Sequence, residues 1–351
     1  MRATGKTMNT LNTTRICVGD YFQNALEISD IVYADKSPDS VILANGQLYQ
    51  DAFAATPLIH FPRNAPILFS NMNYIDPATI AQILNLQPKG VNGVQVFIVG
   101  GISCGVEQQL TLHGLTTFRI SGMNSYETAA KVAQYLGYPE NIMIVSGEDY
   151  SEGLSATAWA AHMGEPILFA ARNELPPYTR YAIQSTKNAN VYIFGNANTI
   201  SSVVEQEIRK LNVKSVSRIS SRTPYEVAVN FARYKSPDGK FGWGRTEREG
   251  HAFTFTSILN PFDSASGSLF AHLGKHTPIL VVAKEELPDV TRNYIESVKP
   301  LPLPEPHPPF MQGWVVGCDN VISTKTQLEI EHALSADEPH SVMLTNVWYP
   351  K

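Results

Sequence analysis

Short apolar runs alternate with longer amphipathic ones along the chain, most regularly in its middle third. Ile142-Met143-Ile144-Val145-Ser146 is a compact apolar run ending at Gly147, as a buried strand does. Gly153 to Met163 is rich in alanine and reads as a helix, with Gly164 in the C-cap place and Pro166 beyond it. A strand over 166–170 follows, and Pro176-Pro177 then opens a helix to about Thr186, since proline is tolerated in a first turn. A strand over 191–194 and a helix capped by Ser201 and reaching Leu211 complete the set. Strands of this kind separated by helices predict an α/β fold of mostly parallel βαβ units, with helices covering the sheet.

The pattern repeats. Arg119-Ile120-Ser121, followed by Tyr126-Glu127 and a helix-like run, returns about 100 residues later as Arg218-Ile219-Ser220 followed by Tyr225-Glu226, and Arg15-Ile16-Cys17 is a degraded earlier copy. A strand after a proline recurs at Pro66-Ile67-Leu68, Pro166-Ile167-Leu168 and Pro278-Ile279-Leu280. A strand ending in glycine recurs at Gly100, Gly195 and Gly317. The expected division is a flexible tail (1–14), modules over 15–116, 117–216 and 217–337, and a C-terminal tail (338–351). The third module carries two inserts, a Gly-rich one near 235–250 and a Pro-rich one near 299–309.

Composition narrows the class. With 43% hydrophobic residues in 351, the chain has ample material for packed cores, and no apolar run approaches the roughly 20 residues of a membrane helix. A net charge of −5 argues against a nucleic-acid binder, whose affinity comes mostly from Lys and Arg. Cys17, Cys104 and Cys318 are odd in number and widely spaced, which argues against a disulfide framework and a structural zinc site. The nine histidines form no His-x-x-x-His or His-Glu-x-x-His pair, so no metal or cofactor is expected. The N-terminal residues lack the apolar core of a secretory signal.

The recurring landmarks resemble the cell wall binding repeat type 2 family of bacterial surface proteins. That family opens with Arg-Ile-x-Gly-x-x-Arg-Tyr-Glu-Thr and continues with a Gly-x-x-Phe/Tyr-x-Asp-Ala-Leu-Ser-Ala stretch. Arg119 to Thr128 and Ser146 to Ala156 fit best, Asn45 to Ala55 keeps the second element, and Asn260 to Gly267 keeps less of it. The chain has Ser125 and Pro224 where the family has Arg, and Glu152 and Ser264 where it has Asp. The resemblance implies three α/β modules, Rossmann-like or Toprim-like, in a pseudo-threefold arrangement at the cell surface. It further implies a non-enzymatic, non-covalent anchor for an anionic or sugar-rich wall polymer.

Several residues are candidates for that contact. Arg15, Arg119 and Arg218 present guanidinium forks suited to phosphate or carboxylate; the structural alternative pairs the latter two with Glu127 and Glu226. Tyr126, Tyr225, Asp51 and Glu152 accompany them at repeated places. In the insert, Lys240, Phe241, Trp243, Arg245 and Arg248 set aromatics beside cations, which suits a sugar or a protein partner if they are exposed and a cover for the module if they are not. Gly101-Ile102-Ser103-Cys104-Gly105 matches the G-x-S-x-G nucleophile elbow, with His251, His272 and His332 as distant partners. The middle copy has Gly195-Asn196-Ala197-Asn198-Thr199 at that place, which reads the motif as a recurring turn. Thr4-Gly5-Lys6-Thr7 lacks the strand that a phosphate loop needs. The expected function is therefore attachment to a wall polymer, with neither membrane insertion nor nucleic acid. The alternative is a subunit of a larger extracellular particle, such as a surface layer or virion, in contact with neighbouring subunits or copies of itself.

Overall fold

The computed structural model describes residues 9–300 and 311–335. The Thr4–Thr7 segment, residues 301–309 of the Pro-rich insert and the C-terminal tail lie outside the described residues. Each repeat runs strand then helix four times over. The first comprises β1 (Thr13–Ile16), α1 (Tyr21–Val32), β2 (Val41–Asn45), α2 (Tyr49–Ala55), β3 (Ile67–Ser70), α3 (Pro77–Leu86), β4 (Val96–Val99) and α4 (Cys104–Leu112). The second comprises β5 (Thr117–Ile120), α5 (Ser125–Tyr135), β6 (Asn141–Ser146), α6 (Ala156–Met163), β7 (Ile167–Ala170), α7 (Pro177–Ser185), β8 (Asn190–Phe194) and α8 (Ser202–Arg209). In the third, β9 (Ser215–Ile219), α9 (Pro224–Arg233) and β10 (Ala252–Ser257) precede a split helix, α10 (Pro261–Gly267) and α11 (Leu269–Leu273). It ends with β11 (Ile279–Val282), α12 (Asp289–Val298), β12 (Gln312–Val316) and α13 (Thr324–Leu334). As the glycine pattern predicted, α6 ends at Gly164 in the left-handed region.

The strands form three parallel four-stranded sheets, ordered β3-β2-β4-β5, β7-β6-β8-β9 and β11-β10-β12-β1. In the first two sheets the central strands are buried on both faces, which is why they read as mostly apolar runs. Sequence repeat and sheet are offset by one strand. Each Arg-bearing strand pairs with the last strand of the preceding repeat, placing Arg119 opposite Ile98 and Arg218 opposite Ile193. The first such strand, β1, completes the third sheet, with Arg15 opposite Val315. Thr13 and Thr14, assigned from sequence to a flexible tail, are thus strand residues. Just beyond the two paired strands, Cys17 and Cys318 form a disulfide with Cα atoms 4.7 Å apart, at a sequence separation of 301. The cysteine count gave no sign of this pair; Cys104 is free and exposed.

The modules meet around the inward helices: α2 with its 3-10 continuation Thr56–Ile59, then α6, then α10 and α11. Helices α1, α5 and α9 wedge between modules, α5 for example packing on both α2 and β7. Aromatic hydroxyls repeat across the joints: Tyr49 donates to the Ser146 carbonyl at 3.0 Å and Tyr150 to that of Ile258 at 3.0 Å. At the third joint Tyr21 stacks on Phe262, centroids 4.5 Å apart. Four histidines meet at the junction: His60 just after the 3-10 turn, His162 in α6, His272 in α11 and His276 after it. The His60 ring lies 4.8 Å from that of His272, and His162 lies 4.9 Å from His276. Burial, reinforced by the neighbouring imidazoles, pushes His162 and His272 down to about 4, and burial lowers His60 as well.

Candidate functional site

The three repeated arginines do the same job. Arg15 is 3% exposed, and its guanidinium donates to the carbonyls of Gly317 (3.0 Å), Ile322 (2.6 Å) and Ser323 (3.0 Å) and to the Gln327 side chain (2.6 Å). Arg119 donates to the carbonyls of Ile102 and Ser103 and to Glu107 at 2.8 Å. Arg218 donates to the carbonyls of Gly195 (2.7 Å) and Ile200 (3.0 Å) and to Glu205 at 2.7 Å. Glu107, Glu205 and Gln327 are each the fourth residue of their helix. Each guanidinium therefore clasps the turn between a strand and the next helix. The pairing differs from the one considered from sequence, since Glu107 and Glu205 take the place of Glu127 and Glu226. Partial burial pushes the Glu107 carboxyl up, but hydrogen bonds from Arg119 and Thr117 outweigh it and hold the group below its ordinary range.

The same turns are held from their other side by carboxylates. Each sheet changes winding direction between its two central strands, the crevice where open α/β sheets usually take ligands. In the first module Asp51 fills that place, accepting from the Gly101 backbone N–H at 3.1 Å. Gly100 has φ +90° there, and a Cβ would lie 2.2 Å from the Asp51 carboxylate, so only glycine fits. In the second module Glu152 accepts from the Asn196 backbone at 3.1 Å and side chain at 2.7 Å, and from Thr199. In the third, Asp263 stands beside Gly317 and accepts from Asn24 (3.1 Å) and Asn260 (2.8 Å). Asp263, not Ser264, is thus the counterpart of Asp51; the clue in the sequence was its place as third residue of a helix opened by Asn260-Pro261. Complete burial pushes Asp263 up to about 6.

Ser103 belongs to the same device. It is the N-cap of α4, as Ser201 and Ser323 are of α8 and α13, each preceded by isoleucine. Among the described residues no hydrogen bond links Ser103 to a histidine. Glu127 and Glu226 close helix N-termini instead of contacting the repeated arginines. Glu226 accepts from the backbone of Arg222 and Thr223 while Thr223 caps its N–H, a reciprocal capping box. Glu127 accepts from the Met123 backbone at 2.6 Å. Tyr126 and Tyr225 are half-buried against the core, Tyr126 edge-on to Phe169.

The insert differs from the exposed aromatic loop considered from its composition. Phe241 is fully buried and stacks on Tyr192 of the second module, with centroids 3.5 Å apart. Trp243 is 8% exposed, 5.1 Å from both Trp159 and His162. Apolar burial thus makes the insert a cover, the alternative left open from sequence, but over the second module rather than its own. Lys235, Lys240 and Arg248 remain exposed, and Arg245 is half-buried. Between loop and module lies a cleft of about 540 Å³, with Lys235, Lys240 and Arg245 on its rim and Trp243, Glu165 and Asn141 deeper in. Glu165 is held by the Asn141 amide and the Trp159 indole N–H, both at 2.6 Å, and burial pushes it up to about 7. Among the described residues no group of His, Cys, Asp or Glu is placed to hold a metal ion, and no helix is long and apolar enough to cross a membrane.

Residues 119–205 match the model of cell wall binding domain 2, and the flanking modules have the same strand order. Over 62% of its length the chain is 29% identical to the N-acetylmuramoyl-L-alanine amidase LytC of Bacillus subtilis, covering 42% of that protein. It is 30% identical to the amidase enhancer of the same bacterium, again over 62% of this chain but 30% of that one. The chain thus spans less than half the length of either relative. Cwp6 from Clostridium difficile shares the fold, with a TM-score of 0.73 and 22% identity over 94% of this chain and 50% of that one.

Proposed function

From a chain whose middle module is a cell wall binding domain 2, we propose a cell-surface protein held non-covalently to an anionic or sugar-rich wall polymer by its three modules. The observation that carries the reading is the family match over 119–205 together with its architecture repeated on both sides. Similarity to an amidase and to an amidase enhancer, over only part of each, supports a shared attachment region rather than a shared reaction. The Cys17–Cys318 disulfide supports an oxidising location outside the cell.

In this reading the repeated arginines and carboxylates shape the modules, and cations that the fold leaves unpaired meet the polymer. Several weak contacts, rather than one deep pocket, supply the retention. The test is sedimentation of the purified protein with deproteinised Gram-positive walls, before and after chemical stripping of their anionic polymers. Retention on intact walls and release from stripped ones is the expected result; no retention on intact walls at low salt overturns the reading.

A further inference from the structure

We infer that the cleft between the 235–250 loop and the second module is a binding subsite for one anionic saccharide unit, a sugar or polyol bearing carboxylate or phosphate. The inference rests on the polymer-binding reading above and gives it an address.

The loop is built, not merely inserted. Ser236 receives the Phe241 N–H on its hydroxyl at 2.9 Å and donates its own N–H to the Phe241 carbonyl at 2.7 Å, closing a tight ring. Gly242 has φ +93°, and a Cβ there would lie 2.4 Å from the Tyr234 carbonyl oxygen. The buried Phe241 ring then fixes the loop to Tyr192, so the rim side chains project from a rigid support.

The charges on that support have no carboxylate within ion-pair distance, and among the described residues the Arg245 guanidinium donates only to the His276 carbonyl at 3.4 Å. Among the described residues, Lys235, Lys240 and Arg245 form no ion pair with a carboxylate, in a chain whose net charge is −5. Glu165 lies in the same cleft, yet neutral donors hold it. The acid is thus buried on neutral donors, and Lys235 and Lys240 stand on the rim with no described carboxylate within ion-pair distance. With burial pushing Glu165 up to about 7, its negative charge is partly discharged near neutrality and opposes an incoming anion less. Trp243 adds a second sign: its indole N–H, in the lining of the cleft, is buried without an acceptor among the described residues. The first two repeats carry no comparable insert, so the stoichiometry is one unit per chain.

The experiment titrates the full chain with glycerol-phosphate oligomers, oligogalacturonate and neutral dextran, following tryptophan emission and calorimetric stoichiometry. At least one anionic probe is expected to bind at about one site per chain, and dextran is not. The pair Lys235→Gln/Lys240→Gln, both exposed, should weaken binding at least tenfold with an unchanged melting temperature, and Trp243→Phe should weaken it severalfold. Equal binding by the double variant, or no binding of either anionic probe, overturns the subsite. Wall sedimentation separates the two readings. Wild type and double variant retained alike on walls, with soluble anionic probes also bound alike, remove the subsite and leave wall attachment standing. Wild type lost from walls while soluble anionic probes still bind through the two lysines removes wall attachment and leaves the subsite.

Discussion

At the scale of single residues, the repeated arginines were plain in the sequence and their partners were not. A helix-following glutamate such as Glu127 is close along the chain, whereas Glu107 becomes a neighbour only when β5 lies beside β4 and α4 returns over it. The difference matters for energetics. Removing Arg15, which is almost fully buried, strands three carbonyls and an amide, so Arg15→Ala should cost about 3 kcal/mol or more in denaturant unfolding. Arg119, with a quarter of its side chain exposed, is screened by solvent and should cost about 1–2 kcal/mol. Titration gives a second prediction. Protonating His162 and His272 is easier in the unfolded chain, so their contribution is complete above pH 6.5 and is lost as pH falls toward 4. Asp263, raised to about 6, and Glu165, raised to about 7, act oppositely and favour the fold at the acid end. The wild type should therefore show a shallow pH dependence that single variants expose. Relative to wild type, His272→Gln should gain about 1 kcal/mol between pH 7 and pH 5, whereas Asp263→Asn should gain in the reverse direction, both read from denaturant midpoints.

At the scale of elements, the middle repeat was almost fully legible. Its strands and helices follow from apolar runs bounded by Gly147, Gly164 and Pro177, and the structure places them within a few residues of those signals. The offset between repeat and sheet was hidden, because Thr117-Phe118-Arg119-Ile120 has the same pattern whichever sheet it joins. Asp263 was missed because its spacing from the neighbouring aromatic differs by one residue from that of Asp51 and Glu152. The capping box of α9 separates a structural role for Glu226 from a binding one. Thr223→Ala, which opens the box, should cost about 1 kcal/mol of stability and leave wall sedimentation unchanged. Reduced retention with intact stability would instead place the start of α9 in contact with the polymer.

At the scale of the molecule, three sheets joined through their inward helices close a ring whose seam lies between β1 and β12. The Cys17–Cys318 disulfide locks that seam, and cross-linking so long a stretch of chain constrains the unfolded state by about 5 kcal/mol as an upper bound. Cys318→Ser should lower the melting temperature as much as reductant does, while Cys104→Ser should leave it unchanged, both measured by thermal unfolding. The seam escaped the sequence reading because neither terminal segment carries any mark of the other; only the ring brings them together.

Ring closure also orders assembly in time. The first sheet is complete once β5 has been made and the second once β9 has, each from local stretches of chain. The third must wait for β12 and then recapture β1, a strand made about 300 residues earlier, a long-range closure that is slow. Until that moment β12 presents an open edge, and β1 of a second nascent chain fits it in the same register as the chain's own. Strand exchange between copies is accordingly the characteristic misassembly of this architecture, and the disulfide is what makes the correct closure permanent.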